Sequence, residues 1–360
     1  MNQGDVFMLI NALVKLASTA TQHTAFIKYD YSLWVCGKNS DCQLGDGTCE
    51  DKHSPIEIMK NVMFVSTLGE HTFLLKNDSS IWGWGDNRFG KIGDGTITVY
   101  DNKDNILENH NHSIPIKIMD DVISVSAGRY HSMAIRNDYS LWAWGYNKYG
   151  QLGDGTQIDK PFPVKIMDDV SAVNLGKYNS FIIKKDDSLW AWGFNKYGHL
   201  GDGTTKDRYY PIKIMDNVKE VNSGIRHTAA VDKDGTLWTW GRNNFGQLGN
   251  GTLDNYSFPI KIMENVISIS AGGFHTASIK TDNSLWVWGN NSRGQIGTTT
   301  KGHIYAPVKI MDSVSTLSLG EYFTIAIDLK GFLWAWGDNR HGQLGNGSTK
   351  DMNKPFRIIS

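Results

Sequence analysis

The sequence lacks the long uninterrupted apolar segment that a membrane span or a secretory leader requires. Its longest apolar stretch runs from Val6 to Ala20, but Lys15 and Ser18 interrupt it and Asp5 precedes it in place of a basic region. Cysteine is scarce as well, with only three residues and no recurring framework of pairs. We therefore expect no signal peptide, no membrane span and a reducing, cytoplasmic location.

An excess of charge of one sign is also lacking. The 36 basic residues nearly balance the 37 acidic ones and leave a formal net charge of -1, which excludes a generally basic nucleic-acid-binding protein. The chain contains no Gly-x-Ser-x-Gly elbow, zincin motif or nucleotide-binding fingerprint. We therefore expect neither an enzyme nor a nucleic-acid partner, and no cofactor.

Repeats are abundant. A near-identical segment recurs around seven tryptophans: Trp34, Trp82, Trp142, Trp190, Trp238, Trp286 and Trp334. The interval is 48 residues in every case except the second, where it is 60. The copy from Ser140 to Thr156 reads Ser-Leu-Trp-Ala-Trp-Gly-Tyr-Asn-Lys-Tyr-Gly-Gln-Leu-Gly-Asp-Gly-Thr. A fixed period of this length is typical of propellers and other repeat architectures.

Each repeat contains four segments rich in Ile, Val, Trp and Thr, separated by Gly, Asn and Asp clusters. In the third repeat the predicted strands are A (Val125 to Gly128), B (His131 to Arg136), C (Leu141 to Gly145) and D (Pro163 to Ile166). The pattern predicts an all-β fold, a seven-bladed β-propeller with four antiparallel strands per blade. Residues 1–13 form an N-terminal segment that we expect to help seal the ring, and residues 14–360 form the propeller domain.

The repeat also carries a family resemblance. Its Leu-Trp-x-Trp-Gly-x-Asn-x-x-Gly-Gln-Leu-Gly segment, with the Pro-x-Lys-Ile and Gly-x-x-His-Thr runs, resembles the repeat of the regulator of chromosome condensation family over residues 14 to 360. The resemblance implies the propeller fold. It leaves function open, because similar propellers include a guanine nucleotide exchange factor for a small GTPase, a secreted β-lactamase-inhibitory protein and bacterial chains of unassigned role.

Residues that recur in every blade are expected to serve the blade and not a partner. One asparagine recurs without exception and is interpreted as a turn residue that tolerates the left-handed region and bonds its own backbone: Asn39, Asn87, Asn147, Asn195, Asn243, Asn291 and Asn339. A histidine recurs in five blades: His23, His71, His131, His227 and His275. Asn179 and Phe323 take its place in the other two, and since Phe neither ligates metal nor carries protons, we interpret the histidines as structural.

Two further segments contain residues found in metal or phosphate sites, but both are better interpreted as turns. Asp232 to Gly235 falls at a B–C turn, and Gly153 to Thr156 lacks the helix and lysine of a phosphate loop. Cys42 and Cys49 lie in one loop, near enough in sequence to pair or to share a metal, but drift in a terminal blade is favoured. No metal site is expected, including at His110 and His112.

Strand direction places the A–B turns and C–D loops on one face of the disc, called here the loop face. In blades three to five it presents a set of aromatic and basic residues, none of them acidic: Arg129, Tyr130, Tyr146, Lys148, Tyr149, Lys177, Tyr178, Phe194, Lys196, Tyr197, Arg226 and Arg242. The equivalent positions of blades two and seven include Glu70, Asp86, Glu321 and Asp338, which predicts a polarised face. We expect these aromatic and basic residues to bind a partner.

Two further features point to the loop face. Tyr146 and Phe194 occupy a position that is polar in the other blades, which indicates an unconstrained, wet site, whereas Phe89, Tyr149, Tyr197 and Phe245 share a position that suits packing under the loop. The second repeat carries twelve extra residues that predict a projecting hairpin, Ile97 to Tyr100 and Ile106 to Leu107 around a polar turn.

Together these features predict a monomeric, non-enzymatic propeller that binds a protein through its loop face, as an adaptor or inhibitor. The family resemblance implies as possible partners a small GTPase or an enzyme being inhibited. Guanine nucleotide exchange on a small GTPase is the first alternative, and the insertion keeps it open because the exchange factor of the resembling family also uses a wedge-like hairpin. Carbohydrate binding at a cell surface is the second, because exposed Tyr and Asn suit sugar stacking.

Overall fold

The fold is a β-propeller. The computed structural model describes residues 13–101, 105–300 and 302–358. Within these ranges the strands form seven four-stranded antiparallel sheets and one two-stranded hairpin. The predicted all-β, seven-bladed architecture is therefore confirmed. No helix in the described ranges is long and apolar enough to cross a membrane.

Each blade is one sheet whose strands A to D follow chain order. Blade one contains β1 (Val14–Thr19), β2 (His23–Lys28), β3 (Leu33–Gly37) and β4 (Lys52–Met59). Blade two contains β5 (Val62–Thr67), β6 (His71–Lys76) and β7 (Ile81–Gly85), then the hairpin β8 (Val99–Tyr100) and β9 (Ile106–Glu108), then β10 (His112–Met119). Blade three contains β11 (Val122–Ala127), β12 (His131–Arg136), β13 (Leu141–Gly145) and β14 (Lys160–Met167). Blade four contains β15 (Val170–Leu175), β16 (Asn179–Lys184), β17 (Leu189–Gly193) and β18 (Arg208–Met215). Blade five contains β19 (Val218–Ser223), β20 (His227–Asp232), β21 (Leu237–Gly241) and β22 (Tyr256–Met263). Blade six contains β23 (Val266–Ala271), β24 (His275–Lys280), β25 (Leu285–Gly289) and β26 (Ile304–Met311). Blade seven contains β27 (Val314–Leu319), β28 (Phe323–Asp328), β29 (Leu333–Gly337) and β30 (Met352–Arg357).

The predicted bounds of the B and C strands in blade three are confirmed, but the A and D strands are longer than predicted. Strand D begins at Lys160 and includes Pro163, which was predicted to start it. Proline is tolerated there because strand D is the outer edge of the sheet, where a missing N–H breaks no ladder bond. The register also shifts between strands C and D, which indicates a bulge at this edge.

The hydrophobic core lies between neighbouring blades. Met133 and Leu141 of blade three pack in one buried cluster with Val170 and Trp192 of blade four. The indole N–H of Trp192 donates to the carbonyl of Gln151 in the preceding blade at 2.8 Å. Each blade thus buries both faces of its sheet against its neighbours, which explains why successive strand residues are apolar.

The recurring histidines also join neighbouring blades. The Nε2 atom of His131 lies 2.8 Å from the hydroxyl of Ser180, which donates its own proton to the Gln151 carbonyl at 2.7 Å. The hydroxyl must therefore accept the Nε2 proton of a neutral imidazole. Burial lowers the pKa of His131 to about 3. The structural interpretation of these histidines is confirmed.

The invariant asparagines are buried in the C–D loops. The side-chain oxygen of Asn147 accepts the N–H of Leu152 at 2.9 Å, and its amide donates to Asp154 at 3.0 Å and to the carbonyl of Thr156 at 3.1 Å. The role as a loop builder is confirmed. The expected left-handed backbone is wrong, because none of the seven has a positive φ.

Among the described residues, the ring closes without exchange of a strand between blades. The hydroxyl oxygens of Thr19 and Ser318 lie 2.8 Å apart, and the Thr24 hydroxyl donates to the carbonyl of Gln343 at 2.7 Å. The same two kinds of bond join blades within the ring, so the closure between blades seven and one is an ordinary blade contact. The sealing role expected of residues 1–13 falls almost entirely outside the described residues.

Candidate functional site: the loop face

Backbone hydrogen bonds hold each A–B turn against the start of the C–D loop in the same blade. The N–H of Tyr146 donates to the carbonyl of Tyr130 at 3.0 Å, and that of Phe194 to the carbonyl of Tyr178 at 2.9 Å. The B–C turns lie at the other end of the strands, where the N–H of Val170 donates to the carbonyl of Tyr139. The predicted grouping of turns into two faces therefore holds.

An aromatic cluster runs across the loop face from blade two to blade four. Each of its members has a ring contact with at least one other: Phe89, Tyr130, Tyr146, Tyr149, Tyr178, Phe194, Tyr197 and His199. Tyr130 and Tyr178 are stacked with centroids 5.0 Å apart, and Tyr149 lies 4.9 Å from Phe194. All members are half-buried except His199, which is fully buried. The cluster is a continuous, partly exposed apolar surface.

Tyr146 and Phe194 are less free than the sequence indicated. The Tyr146 ring lies 4.4 Å from that of Phe89 and also contacts Tyr149 and Tyr178. Burial raises the pKa of its hydroxyl to about 12. The interpretation of an unconstrained, wet site is therefore wrong for both residues, because aromatic neighbours from other blades surround them. Phe245 lies outside the cluster and packs against Phe274 and His303.

The predicted polarisation of the loop face is partly cancelled by internal ion pairs. Arg129 reaches Glu70 at 3.7 Å and Glu321 at 3.4 Å, so its charge already has partners. Asp86 forms an ion pair at 2.6 Å with Lys91, whose side chain is completely buried. Sequence reasoning missed Lys91, although it stands where the other blades have Gln or His. Arg129 is therefore an internal structural cation.

The remaining basic residues of blades three to five border the aromatic cluster without a carboxylate partner in the described residues. Lys177 lies 5.1 Å from the Tyr178 ring centroid, and burial, with the nearby Arg129, lowers the pKa of its ammonium. Arg226 and Arg242 lie 4.7 and 5.1 Å from the Tyr197 ring. Lys148 and Lys196 are exposed. The loop face therefore offers free positive charge beside apolar surface.

The insertion in blade two forms a hairpin on the same face. Strand β8 pairs antiparallel with β9, as predicted, while residues 102–104 of its turn fall outside the described residues. The Tyr100 ring lies 3.8 Å beneath the Arg88 guanidinium, and its hydroxyl donates to Asp86 at 3.3 Å. These contacts fasten the hairpin to the loop face beside Phe89.

Potential metal ligands are engaged elsewhere. His110 lies 2.8 Å from Glu108, and His112 lies 2.8 Å from Asp94. No group of three His, Cys, Asp or Glu side chains in the described ranges is placed to hold a metal. Cys42 and Cys49, whose pairing the sequence left open, form a disulfide across the blade-one loop.

Comparison with known families gives matches along most of the chain. A model described as the RCC1-like domain matches residues 8–266. Two models of the regulator of chromosome condensation (RCC1) repeat match later segments, at residues 266–295 and 314–343 and at residues 282–327 and 330–360.

Characterised relatives match over short stretches. The probable E3 ubiquitin-protein ligase HERC4 of Homo sapiens is 45% identical over 47 residues, and the ultraviolet-B receptor UVR8 of Arabidopsis thaliana is 41% identical over 54 residues. These alignments cover 12% and 14% of this chain but only 4% and 12% of the two relatives.

Solved structures match over nearly the whole fold. Human WBSCR16 superposes with a TM-score of 0.79 at 21% identity, over 91% of this chain and 94% of that one. Prp20p of Saccharomyces cerevisiae superposes with a TM-score of 0.78 at 21% identity, over 100% of this chain and 90% of that one. At this identity the likeness concerns the fold.

Proposed function

Because the chain belongs to the family of RCC1-like domains, we propose that it is a non-enzymatic protein-binding propeller, an adaptor or an inhibitor, whose partner docks on the loop face. The observation that carries the proposal is the aromatic cluster with its border of cations that lack carboxylate partners among the described residues. Aromatic and arginine side chains dominate the binding energy of protein interfaces.

The construction of the cluster suits a protein partner. Its rings already pack on one another, so docking orders few additional side chains and costs little conformational entropy. The flanking Lys148 and Lys196 are exposed, and their charge attracts an acidic or mixed partner surface before contact. The yeast protein of similar fold is described as bound to Kap60 and as having binding properties to Gsp1p and histones, which supports a protein-binding role for this chain.

Charge reversal on the loop face tests the proposal. The full chain carrying Lys148→Glu with Lys196→Glu should lose the proteins that the unmodified chain captures from its host lysate after cross-linking. Association should slow about tenfold or more at low salt, with a smaller effect at high salt, because the two lysines act through long-range attraction. Quantitative mass spectrometry and surface plasmon resonance measure the two effects.

Lys60→Glu with Lys330→Glu is the matched control, since both residues are exposed and lie in turns of the opposite face. A partner lost from this control but retained by the Lys148 and Lys196 variant would contradict the proposal. Binding to a glycan array with no protein captured would favour carbohydrate recognition instead.

Guanine nucleotide exchange on a small GTPase is a second candidate, which the blade-two hairpin favours. The hairpin stands beside the aromatic cluster and is fastened to the loop face by Tyr100, so a bound partner would contact both. Acceleration of fluorescent GDP release from a panel of small GTPases by the full chain, lost when residues 97–108 are deleted, would support exchange. Unchanged release rates across the panel would contradict it.

A further inference from the structure

One hydrogen bond links the start of the C–D loop to its interior in several blades. The first residue after strand C supplies an oxygen acceptor, and the residue five positions later supplies the donor. Gln343 donates to Asp338 at 3.0 Å in blade seven, and Gln295 donates to Asn290 at 3.1 Å in blade six. In blade two the same places are taken by Asp86 and Lys91, 2.6 Å apart.

Blades three and five keep the donor but lack the acceptor. Tyr146 and Arg242 replace the acidic or amide residue, and neither supplies an acceptor to the glutamine. The side-chain nitrogens of Gln151 and Gln247 are completely buried and have no hydrogen-bond partner in the described residues. An unpaired buried amide costs about 1–3 kcal/mol, so the C–D loops of blades three and five lack a stabilising bond that the loops of blades six and seven have.

In blade five two arginines lie side by side, with Arg242 in the position of the missing acceptor and Arg226 in the adjoining A–B turn. The N–H of Arg242 donates to the carbonyl of Arg226 at 2.9 Å, so their side chains start from adjacent backbone. Both guanidinium groups lie against the ring of Tyr197, at 5.1 and 4.7 Å. Neither forms an ion pair with any described residue, and the Nε atom of Arg242 is buried without a partner.

Other arginines of the loop face have the carboxylate partners that Arg226 and Arg242 lack among the described residues. Arg340 contacts Asp338 at 2.7 Å, and Arg129 contacts Glu70 and Glu321. His199 lies next to Gly241 and Arg226, but burial lowers its pKa to about 3, so it contributes no charge of its own. The site at blade five therefore has two positive charges that no carboxylate of the described residues pairs with.

We propose that Arg226 and Arg242 form a carboxylate-binding site that takes an Asp or Glu side chain from an acidic segment of the protein partner. A carboxylate fits because the aspartate in the position equivalent to Arg242 pairs with a cation in blades two and seven. The two guanidinium groups bind both of its oxygens. The proposal rests on the proposed function and adds the chemistry of the segment that docks.

A fluorescein-labelled octaglutamate peptide probes the site in the full chain. Fluorescence anisotropy at low salt should show binding by the unmodified protein, weakened about tenfold or more by Arg226→Gln and by Arg242→Gln. Arg136→Gln removes the same charge from an arginine paired with Asp121 away from the loop face, and should bind as the unmodified protein does. Equal affinity in all four proteins, or no binding in any, would overturn the proposal.

Two comparisons separate this inference from the proposed function and from nucleic-acid binding. Protein capture that depends on Lys148 and Lys196 but not on Arg226 or Arg242 would overturn the carboxylate site and leave the proposed function standing. Octaglutamate binding that depends on both arginines, with no protein captured by the loop face, would support the carboxylate site and overturn the proposed function. An octathymidylate that binds more tightly than octaglutamate at equal salt would overturn the choice of an acidic protein segment.

Discussion

At the scale of single residues, the buried histidines act as neutral hydrogen-bond donors between blades. His227 donates its Nε2 proton to the Thr276 hydroxyl at 2.8 Å, and that hydroxyl donates its own proton to the Gln247 carbonyl at 2.7 Å. Burial lowers the pKa of His227 to about 3. Folding therefore excludes a proton that the unfolded chain binds near its ordinary pKa of 6.5.

His227→Asn should destabilise the fold by about 1–3 kcal/mol at pH 7, because a buried hydrogen bond is lost or lengthened. The folded pKa is depressed, so the contribution of the histidine is full above pH 6.5 and declines as the pH falls toward 3. At pH 5 the variant should lose roughly 2 kcal/mol less than at pH 7. Urea unfolding at both pH values measures this difference, and a loss independent of pH would contradict it.

Glu220 titrates in the opposite sense. It lies in β19 beside the central channel, where its carboxylate accepts the N–H of Ile269 and the hydroxyl of Ser268, both at 3.4 Å. Burial raises the pKa of this carboxyl to about 7. A raised folded pKa means that the stabilisation is present below the unfolded pKa of 4.5 and lost as the pH rises through about 7.

Glu220→Gln should therefore make the protein more stable at pH 8, by on the order of 3 kcal/mol, because the variant avoids burying a charge. Near pH 4.5 the two proteins should differ little. Chemical unfolding of both at the two pH values checks this, and an equal difference at both would show that ionisation of Glu220 does not control the effect.

The sequence predicted the role of a residue well where the side chain at the equivalent position of another blade excluded a chemical function. It predicted the role poorly where that role depends on contacts with residues of other blades. Phe323 at a histidine position excluded proton transfer, and the structure confirms a structural role for the histidines. Tyr146 also replaces polar residues, but its neighbours Phe89 and Tyr178 come from other blades. Comparing one equivalent position across the seven repeats cannot reveal contacts between different positions in neighbouring blades.

At the scale of elements, the C–D loop of blade one departs from its six equivalents. Cys42 has a φ of 60°, where the other blades have glycines between 71° and 77°. A non-glycine residue in this left-handed region costs about 1 kcal/mol or more, and here the disulfide to Cys49 accompanies the exception. Blade one thus has a disulfide-bonded cysteine at the loop position where the other six blades have glycine.

Cys49→Ser should lower the free energy of unfolding by about 2–3 kcal/mol, because the loop loses its cross-link while Cys42 keeps its left-handed backbone. Cys42→Gly should cost about 1 kcal/mol less, since it restores the residue of the other blades. Thermal unfolding of both variants measures the difference. A reductant should bring the unmodified protein to the level of Cys49→Ser and leave the order of the two variants unchanged; the opposite order would contradict the role given to φ.

Element positions were largely predictable from the period of the repeat. The twelve additional residues in blade two predicted the hairpin β8 and β9, because an insertion with two apolar ends around a polar turn favours that structure. The predicted start of strand D was wrong: the strand begins at Lys160, and Pro163 lies within it because strand D is the edge of the sheet.

At the scale of the whole molecule, the number of blades and a closed ring followed from the repeat count, whereas the contacts that close the ring followed from the structure alone. Val14 and Ile358, near the two ends of the described chain, lie in one buried cluster between blades seven and one. Their proximity depends on the curvature that seven blades accumulate, which no single repeat encodes.

A circular permutant tests the equivalence of the seven blade contacts. Joining residues 1 and 360 of this sequence with a flexible linker and opening the chain between Asp168 and Asp169, in the exposed turn between blades three and four, should preserve the fold with a melting temperature within about 5 °C of the original. Circular dichroism measures it. Opening between Ala143 and Trp144 instead cuts a buried strand and should prevent folding; an unfolded first permutant would show that the natural closure is special.

The contiguity of each blade has a consequence for the history of such chains. Since no blade takes a strand from another within the part of the chain that the structure describes, the segment of gene that encodes one repeat also encodes one four-stranded sheet with its ladder bonds. Unequal recombination between two repeats would therefore delete or duplicate a whole sheet and leave no orphaned strand behind. The repeat in the sequence and the blade in the structure are therefore the same unit, and the similar Trp-containing segments of the seven repeats are consistent with duplication of that unit.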